Sequence, residues 1–295
     1  MKIAFLACPT TLPDSPTRRP DAFEHDLQLA ALRDGFGTRA EVQDIDWRAP
    51  LDELTGYDLA YLGTPWDYTD AKDEFLARLT ALETAGVMVC NPVEVIRWNA
   101  DKLYLKELAA RGAPAIPTLW PENPGRAEVL SALDQFQCDK VVVKRRVGSG
   151  AVGQHCFSRD DLPAADWHLG QAGMIQPFLT VIQSEGELSF IFIGGELCHA
   201  LVKRPQSGDY RIQSLYGGRE EALDPAPADR AAAEAVMAML PFDQAPLYAR
   251  IDMVRLGGGQ LAVIEAELIE PYLYPEQGPS LGKMFAQAAI NRFAS

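Results

Sequence analysis

Basic residues are in short supply in this chain. Its 27 lysines and arginines face 41 aspartates and glutamates, for a formal net charge of −14 at pH 7. So acidic a protein is a poor partner for nucleic acid, because gripping a phosphate backbone takes a basic face. Long apolar runs are missing as well. None approaches the roughly 20 residues that cross a bilayer, so no membrane partner is expected. The opening "MKIAFLAC" is too short for a signal peptide and runs into "PTTLPDSP" instead of a cleavage site, which points to a cytoplasmic protein. Cysteine is sparse: Cys8, Cys90, Cys138, Cys156 and Cys198 are odd in number, scattered and without a CxxC. They read as reduced thiols, neither a disulfide framework nor a zinc site. His25, His155, His168 and His199 show no metal-ligand spacing. Internal repeats and low-complexity tracts are absent.

What is present is an ordinary soluble composition, 47% hydrophobic and 23% charged, on 295 residues. That length predicts two or three lobes of roughly 100 residues each. In the first third, "KIAFLAC", "YDLAYLGTP" and "VMVCNP" read as three strands. The helical patterns "AFEHDLQLAALRDGFG" and "DAKDEFLARLTALETAG" alternate with them. Such alternation predicts an α/β domain with a parallel open sheet, and ligands in such sheets sit beyond the carboxyl ends of the strands. Next, "NADKLYLKELAARGAPAIP" predicts a helix starting near Asn99 and closed by Gly112 and Pro114. From about residue 138 strands dominate, with helices at "AEVLSALDQFQ", "ADRAAAEAVMAML" and "LGKMFAQAAINRF". The second half is therefore expected to be α+β, built on antiparallel hairpins.

Two stretches carry chemistry. "VVVKRRVGSGAVGQH" (141–155) contains a formal GxGxxG after an apolar β-branched run. A dinucleotide fingerprint requires a helix after the glycines and an acid about 20 residues later. Here "QHCFSRDDL" reads as a short strand and a turn, and no such acid follows. Nor is it a Walker loop, since Lys144 precedes the glycines. The stretch reads as a β-hairpin whose tip, with Gly148, Ser149, Gly150 and Gly153, lets backbone N–H groups approach phosphate oxygens. The competing reading is a plain hairpin turn with a solvated lysine.

The second stretch, "RIDMVRLGGGQLAVIEAELIEP", predicts another hairpin turning at Gly257 to Gly259. A four-residue loop at 257–260 would set Asp252 opposite Glu265, with Glu267 on the same face; a three-residue loop would set Asp252 opposite Ile264 and break the cluster. Three carboxylates on one face repel unless a cation lies among them, and oxygen-only ligands suit Mg²⁺. Alternatively, the acids are the solvent side of an edge strand.

Lys102 in "NADKLYL", Lys144 ahead of the glycine loop, and Asp252 with Glu265 and Glu267 stand in an order and spacing that resemble the ATP-grasp superfamily, over roughly residues 60 to 290. The resemblance implies an ATP-grasp fold. A pre-ATP-grasp α/β domain (1–95) would precede a central ATP-binding lobe (96–184) and a C-terminal lobe with the metal site (185–295). It implies ATP and Mg²⁺, with Lys102 and Lys144 on the phosphates. "MIQPFL" resembles the adenine-lining hinge, which assigns Gln176, Pro177 and Phe178, and "EGELSFIFIGGE" places the ribose-binding acid at Glu187. "ALVKRPQSGDYRIQSLYGG" is similar to the glutathione-synthetase branch, implying Lys203 and Arg211 at the transferred phosphoryl group, with Arg250 of "YARID" beside them. Glu267 departs from the Asn common at that position in the superfamily.

The combination of "TPWDYTD", "NPVEVIRWNADKLYL" and "ELIEPYLY" resembles the O-ureido-D-serine cyclo-ligases of D-cycloserine biosynthesis. That implies activation of a small amino-acid-like carboxylate as an acyl phosphate, followed by attack of a nitrogen nucleophile. A ligase joining two substrates, of glutathione-synthetase or D-Ala-D-Ala-ligase type, is the nearest rival, and a non-catalytic nucleotide-binding protein the next. The resemblance also carries an expectation of a homodimer. On the substrate side, Asp67 could hold an α-ammonium group, with Tyr68 and Asp21 nearby; equally, Trp66 and Tyr68 could pack the lobe interface while Asp67 caps the next helix. Trp98 and Tyr104 read as core. Cys8, with no His–Asp constellation to activate it, reads as a small buried residue.

Overall fold

Short apolar runs punctuated by turn residues condense into three sheets, each from one contiguous stretch of chain. The computed structural model describes residues 1–150, 152–206, 211, 212 and 214–293. In the first sheet, β1 (Lys2–Ala7), β2 (Glu41–Asp46), β3 (Leu59–Thr64) and β4 (Met88–Cys90) run parallel in the order β2-β1-β3-β4. Helices α1 (Phe23–Phe36), α2 (Leu51–Leu54) and α3 (Lys72–Thr84) connect them. The sequence reading found three of these strands and missed β2. That strand is an edge whose run "EVQDID" has Val42 as its one buried residue, so hydrophobic periodicity barely registers there.

The helix expected to start near Asn99 starts at Tyr104 instead, and another ends at Asn99. Helix α4 (Val93–Asn99) stops there and α5 (Tyr104–Ala110) starts five residues later, leaving Lys102 on the turn between them. Asn99 does not continue a helix because its side chain bridges elsewhere, donating to the Ala266 carbonyl at 2.7 Å and accepting the Leu268 N–H at 2.8 Å. Asp101 holds the turn by accepting the Leu103 N–H and a two-pronged pair from Arg146.

After α6 (Arg126–Gln135), strands β5 (Lys140–Arg145), β6 (His155–Ser158) and β7 (Gly173–Pro177) form an antiparallel sheet in the order β6-β5-β7. The glycine stretch is therefore the tip of the β5–β6 hairpin, with no helix behind it. Ala151 of that tip lies outside the described residues, as do 207–210 and 213 around Arg211.

A short α7 (Val181–Ser184) leads into the third sheet, formed by β8 (Glu187–Ile193), β9 (Glu196–Arg204), β10 (Arg219–Leu223), β11 (Tyr248–Arg255) and β12 (Leu261–Glu267). Its antiparallel order is β10-β9-β8-β11-β12. Helix α8 (Pro227–Ala238) precedes β11, and α9 (Leu281–Phe293) follows β12. The period-two alternation of these strands separates two faces. Leu188, Phe190, Phe192, Ala249, Ile251 and Met253 face a core shared with α5 and α8. On the other face Ile191, Ile193, Leu201 and Tyr248 share a core with Phe5, Leu29, Leu32 and Phe36 of the first domain and Phe285 of α9. Helices α1 and α9 meet glycine on glycine: a Cβ on Gly35 would sit 2.0 Å from the Gly282 carbonyl oxygen.

A hydrogen-bonded seam locks the first sheet to the third. The side chain of Asn91, fully buried beyond β4, donates to the carbonyls of Tyr248 (2.9 Å) and Leu268 (2.8 Å) and accepts the Leu247 N–H (2.6 Å). The Tyr248 hydroxyl bridges back to the Cys90 and Ile269 carbonyls. Cys8 is buried as expected, and the His25–Asp44 pair connects to it through two threonines without touching it. His25 contacts Thr64 at 2.8 Å and Asp44 at 3.4 Å, and Thr64 contacts Thr11, which lies 3.8 Å from the Cys8 sulfur. His25, Thr64 and Thr11 are all buried, and the chain of contacts ties α1 to the ends of β1 and β3. Replacing Asn91 by Ala leaves three buried backbone groups without partners, so it should cost about 3 kcal/mol or more. The measurement is a thermal melt, with a Tm lower by several degrees than wild type.

Candidate active site

Among the described residues, one cleft of about 420 Å³ gathers nearly every side chain singled out in the sequence. Its floor is the polar part of the third sheet. Asp252 faces Glu265 across the β11–β12 hairpin, and Arg250 faces Glu267. The predicted register is met by a different route from the one expected. Leu256 donates its N–H to the Gln260 carbonyl, so the turn is the three-residue kind, and Met253 pairs with Val263. A bulge between Asp252 and Met253 then absorbs the extra Ile264 and restores the carboxylate cluster.

The three carboxylates do not by themselves make a metal cage; among the described residues no group of three or more such ligands stands ready. Each is drawn to a cation instead. Asp252, 2% exposed, is held by Lys203 at 3.1 Å, by Arg250 at 3.1 Å and by the Ser189 hydroxyl. Glu265 pairs with Lys102 at 2.6 Å, and Glu267 with Arg250. Lys203 also pairs with Glu187, its cross-strand neighbour, at 2.7 Å. The balance is uneven. Burial pushes the Glu267 carboxyl up to about 7; Arg250 opposes that, while Glu265 and Asp252 add to it. Oxygen ligands on one face could hold a divalent cation once Lys102 and Arg250 release Glu265 and Glu267.

The opposite wall comes from the second sheet. Lys102 reaches from its turn to the Gly148 carbonyl at 2.7 Å, tying the glycine loop to Glu265. Lys144, on the last turns of β5, has no hydrogen bond or ion pair among the described residues. Burial and the neighbouring Lys102 lower its pKa, against the pull of Glu265. Arg145 beside it has a buried Nε that meets no acceptor among the described residues. An unpaired ammonium and an orphaned guanidinium N–H in one cleft fit an anionic polyphosphate. Gly148, Ser149 and Gly150 line the same wall; Gly153 stands behind it, packed so closely on Arg145 that a Cβ would lie 2.5 Å from Nε. Gln176, Pro177 and Phe178 line the cleft beyond Lys144, joined by the apolar Val142, Leu179, Ile182 and Ile264. Gln176 is fixed by Thr118 at 3.0 Å, and Phe178 lies under the Lys140 ammonium. Arg211 reaches the cleft stacked over Tyr216 at 3.8 Å.

At the first domain's edge, Asp21, Trp66, Asp67 and Tyr68 also line the cleft. Asp67 is not free to take an ammonium, nor does it cap a helix: one oxygen accepts the Trp47 indole N–H at 2.7 Å and the other pairs with Arg48. Asp21 is clamped by Arg19 at 2.7 and 2.8 Å. Tyr68 is buried against Phe75 with its hydroxyl end toward the cleft acids. Sequence reasoning missed Arg145 and Glu270. Glu270 stands in the quoted "ELIEPYLY", but β12 ends at Glu267 and the strand alternation that exposes Glu265 and Glu267 stops with it.

The three-sheet architecture that carries the lysine and carboxylate walls is an ATP-grasp fold. Residues 3–91 match the family model of the D-cycloserine synthetase DcsG N-terminal domain. Over 272 residues the chain is 28% identical to the cycloserine biosynthesis protein DcsG of Streptomyces lavendulae, covering 87% of this chain and 89% of that one. The crystal structure of D-cycloserine synthetase DcsG superposes with a TM-score of 0.83 at 24% identity, over 99% of this chain and all of that one. More distant in sequence are the D-alanine–D-alanine ligase of Bacillus anthracis (TM-score 0.67, 16% identity, 100% of this chain and 99% of that one) and the ATP-grasp ligase PsnB, solved with Mg and ADP (0.64, 16%, 99% and 98%). The likeness to DcsG therefore runs through the whole chain, and the fold is that of the ATP-grasp ligases. Among the described residues no helix is long and apolar enough to cross a membrane.

The two lysine environments predict opposite outcomes. Lys203→Ala strands Glu187 as a buried acid and leaves Asp252 to Arg250 and Ser189 alone, so it should destabilise the protein by about 3–5 kcal/mol. Lys144→Ala removes a cation that has no partner, so the melting temperature of the free protein should hold, while the Kd for ATP rises by roughly 10- to 100-fold. Thermal melts and calorimetric titration with ATP check both.

Proposed function

We propose that the protein is an ATP-dependent carbon–nitrogen ligase that closes O-ureido-D-serine to D-cycloserine, with ADP, phosphate, CO₂ and ammonia as the other products. One observation carries the reading. In a chain homologous to DcsG, a single cleft opposes an unpaired lysine and arginine N–H to a three-carboxylate floor. ATP supplies the phosphoryl group that activates the substrate carboxylate, and Mg²⁺ would neutralise charge on the phosphates. Asp252, Glu265 and Glu267 would hold the metal. Lys144, Lys102 and the backbone of Gly148, Ser149 and Gly150 would hold the phosphates; Gln176, Pro177 and Phe178 would receive the adenine, and Glu187 the ribose. Gly153 would keep Arg145 aimed at the loop.

Nucleotide binding would exchange partners, not create charge from nothing. Lys102 would leave Glu265 for a phosphate, and Glu265 would leave Lys102 for the metal. Arg250, Lys203 and Arg211 would then face the transferred phosphoryl group and the acyl-phosphate oxygens, where arginine forks match the geometry. The ureido nitrogen next to oxygen attacks the acyl carbon, phosphate leaves, and water removes the carbamoyl group as CO₂ and ammonia. An internal nucleophile brings its own effective concentration and needs no second substrate pocket. The wall with Asp21, Asp67 and Tyr68 would shape the substrate end. The segments 1–95, 96–184 and 185–295, each carrying one sheet, support a clamp in which the middle lobe closes on the nucleotide.

The test is ADP release with Mg²⁺ and ATP. O-ureido-D-serine alone should sustain turnover and yield the cyclised product, its L-isomer should not, and Glu265→Gln should lower the rate at least about 100-fold. Turnover that appears only when a second amine is added would replace the cyclo-ligase with a two-substrate ligase. Tight ATP binding without ADP release from any carboxylate would remove the ligase reading altogether.

A further inference from the structure

Four carboxylates in the described residues are more than nine-tenths buried: Asp21, Glu187, Asp252 and Glu270. Three of them have a cation in contact. Arg19 holds Asp21 at 2.7 Å, Lys203 holds Glu187 at 2.7 Å, and Lys203 and Arg250 hold Asp252 at 3.1 Å. Glu270, 9% exposed and lining the cleft, has no ion pair among the described residues. Burial raises its pKa far above the usual carboxylate range; Glu267 and Glu265 add to this, and Lys102 opposes it. Glu270 lines the same cleft as the first domain's Tyr68. A buried carboxylate without a counter-charge is costly unless a cation arrives to neutralise it.

We propose that Glu270 receives the α-ammonium group of the amino-acid substrate. The assignment rests on the ligase reading above and names how that ligase orients its substrate. With Glu265 and Glu267 engaged by cations, Glu270 is the cleft carboxylate on this side with no counter-charge among the described residues, so this end favours an ammonium over a carboxylate. Arg250 and the Lys144 wall do the reverse. An amino acid entering between them has one favourable orientation, ammonium on Glu270 and carboxylate toward the phosphates. The neighbouring acids offer no substitute, since Asp67 is engaged by Arg48 and Trp47, and Asp21 by Arg19. A neutral amide or hydroxyl at the substrate's α position would give Glu270 a hydrogen bond but no counter-charge, so the site favours amino acids over hydroxy acids.

The experiment pairs a protein change with a ligand change. O-ureido-D-serine and its des-amino counterpart, 3-(ureidooxy)propanoate, are titrated into the enzyme loaded with Mg²⁺ and a non-hydrolysable ATP analogue. Wild type should bind the des-amino compound roughly 100-fold more weakly. Glu270→Gln should weaken O-ureido-D-serine by a similar factor yet bind the des-amino compound about as well as wild type does. Its affinity for ATP should stay within about twofold, and Glu270→Asp should recover part of the loss. Equal binding of the two compounds by wild type overturns the assignment without any variant. So does a Glu270→Gln variant that binds O-ureido-D-serine normally, or that loses as much with the des-amino compound, which would move Glu270 to the ureido end. A wild type that binds neither compound overturns the ligase reading, and this assignment with it.

Discussion

The side chain of Asn91 is where two sheets become one active cleft. Its amide meets the Tyr248 and Leu268 carbonyls and the Leu247 N–H, groups at the two ends of the β11–β12 hairpin. Asn99 repeats the device one helix later on Ala266 and Leu268. Between them these amides fix where β12 ends and in which direction the chain leaves it. The carboxylates on that hairpin and the acid just beyond it are therefore placed by the first domain as much as by their own sheet. Apolar packing alone tolerates sliding; a set of hydrogen bonds to specific backbone groups does not.

Given that frame, the cleft is an exercise in charge balance. Buried ion pairs recover only part of the desolvation they cost, so their presence here is weak evidence for stability and stronger evidence for use. Asp252, Glu187, Lys203 and Arg250 satisfy one another in the free protein. Against the burial that would raise it, Arg250 and Lys203 hold the Asp252 carboxyl below its ordinary range without a metal. The groups left over, Lys144 on one wall and Glu270 on the other, mark where charge of opposite sign is wanted. Read this way, the polarity of the cleft is visible in the leftovers and hidden in the pairs.

Much of this was legible in the residues themselves. The β5–β6 hairpin followed from Lys144 preceding the glycines and from "QHCFS" reading as a strand, and the structure has it. The carboxylate face followed from period-two spacing in "IEAE", although the bulge at Ile264 that secures it left no trace in the pattern. Strand β2 was invisible because an edge strand with one buried residue has no periodicity to read. The stop at Asn99 was hidden for a different reason: its cause is a pair of backbone groups more than 160 residues away. Asp67 looked available because nothing local shows that Arg48 and Trp47 fold onto it. Local chemistry was readable; partners distant in sequence were not.

The glycine contact between α1 and α9 has a consequence for how the molecule is made. Helix α1 ends at Phe36 and its partner begins at Leu281, so ribosomal synthesis separates them by roughly ten seconds to a minute at about 5–20 residues per second. Throughout elongation Leu29, Leu32 and Phe36 lack the Phe285 and Ala289 surface that covers them in the finished protein. The first domain to emerge is thus among the last to be completed, and nascent chains stalled before α9 should display a sticky α1 to chaperones.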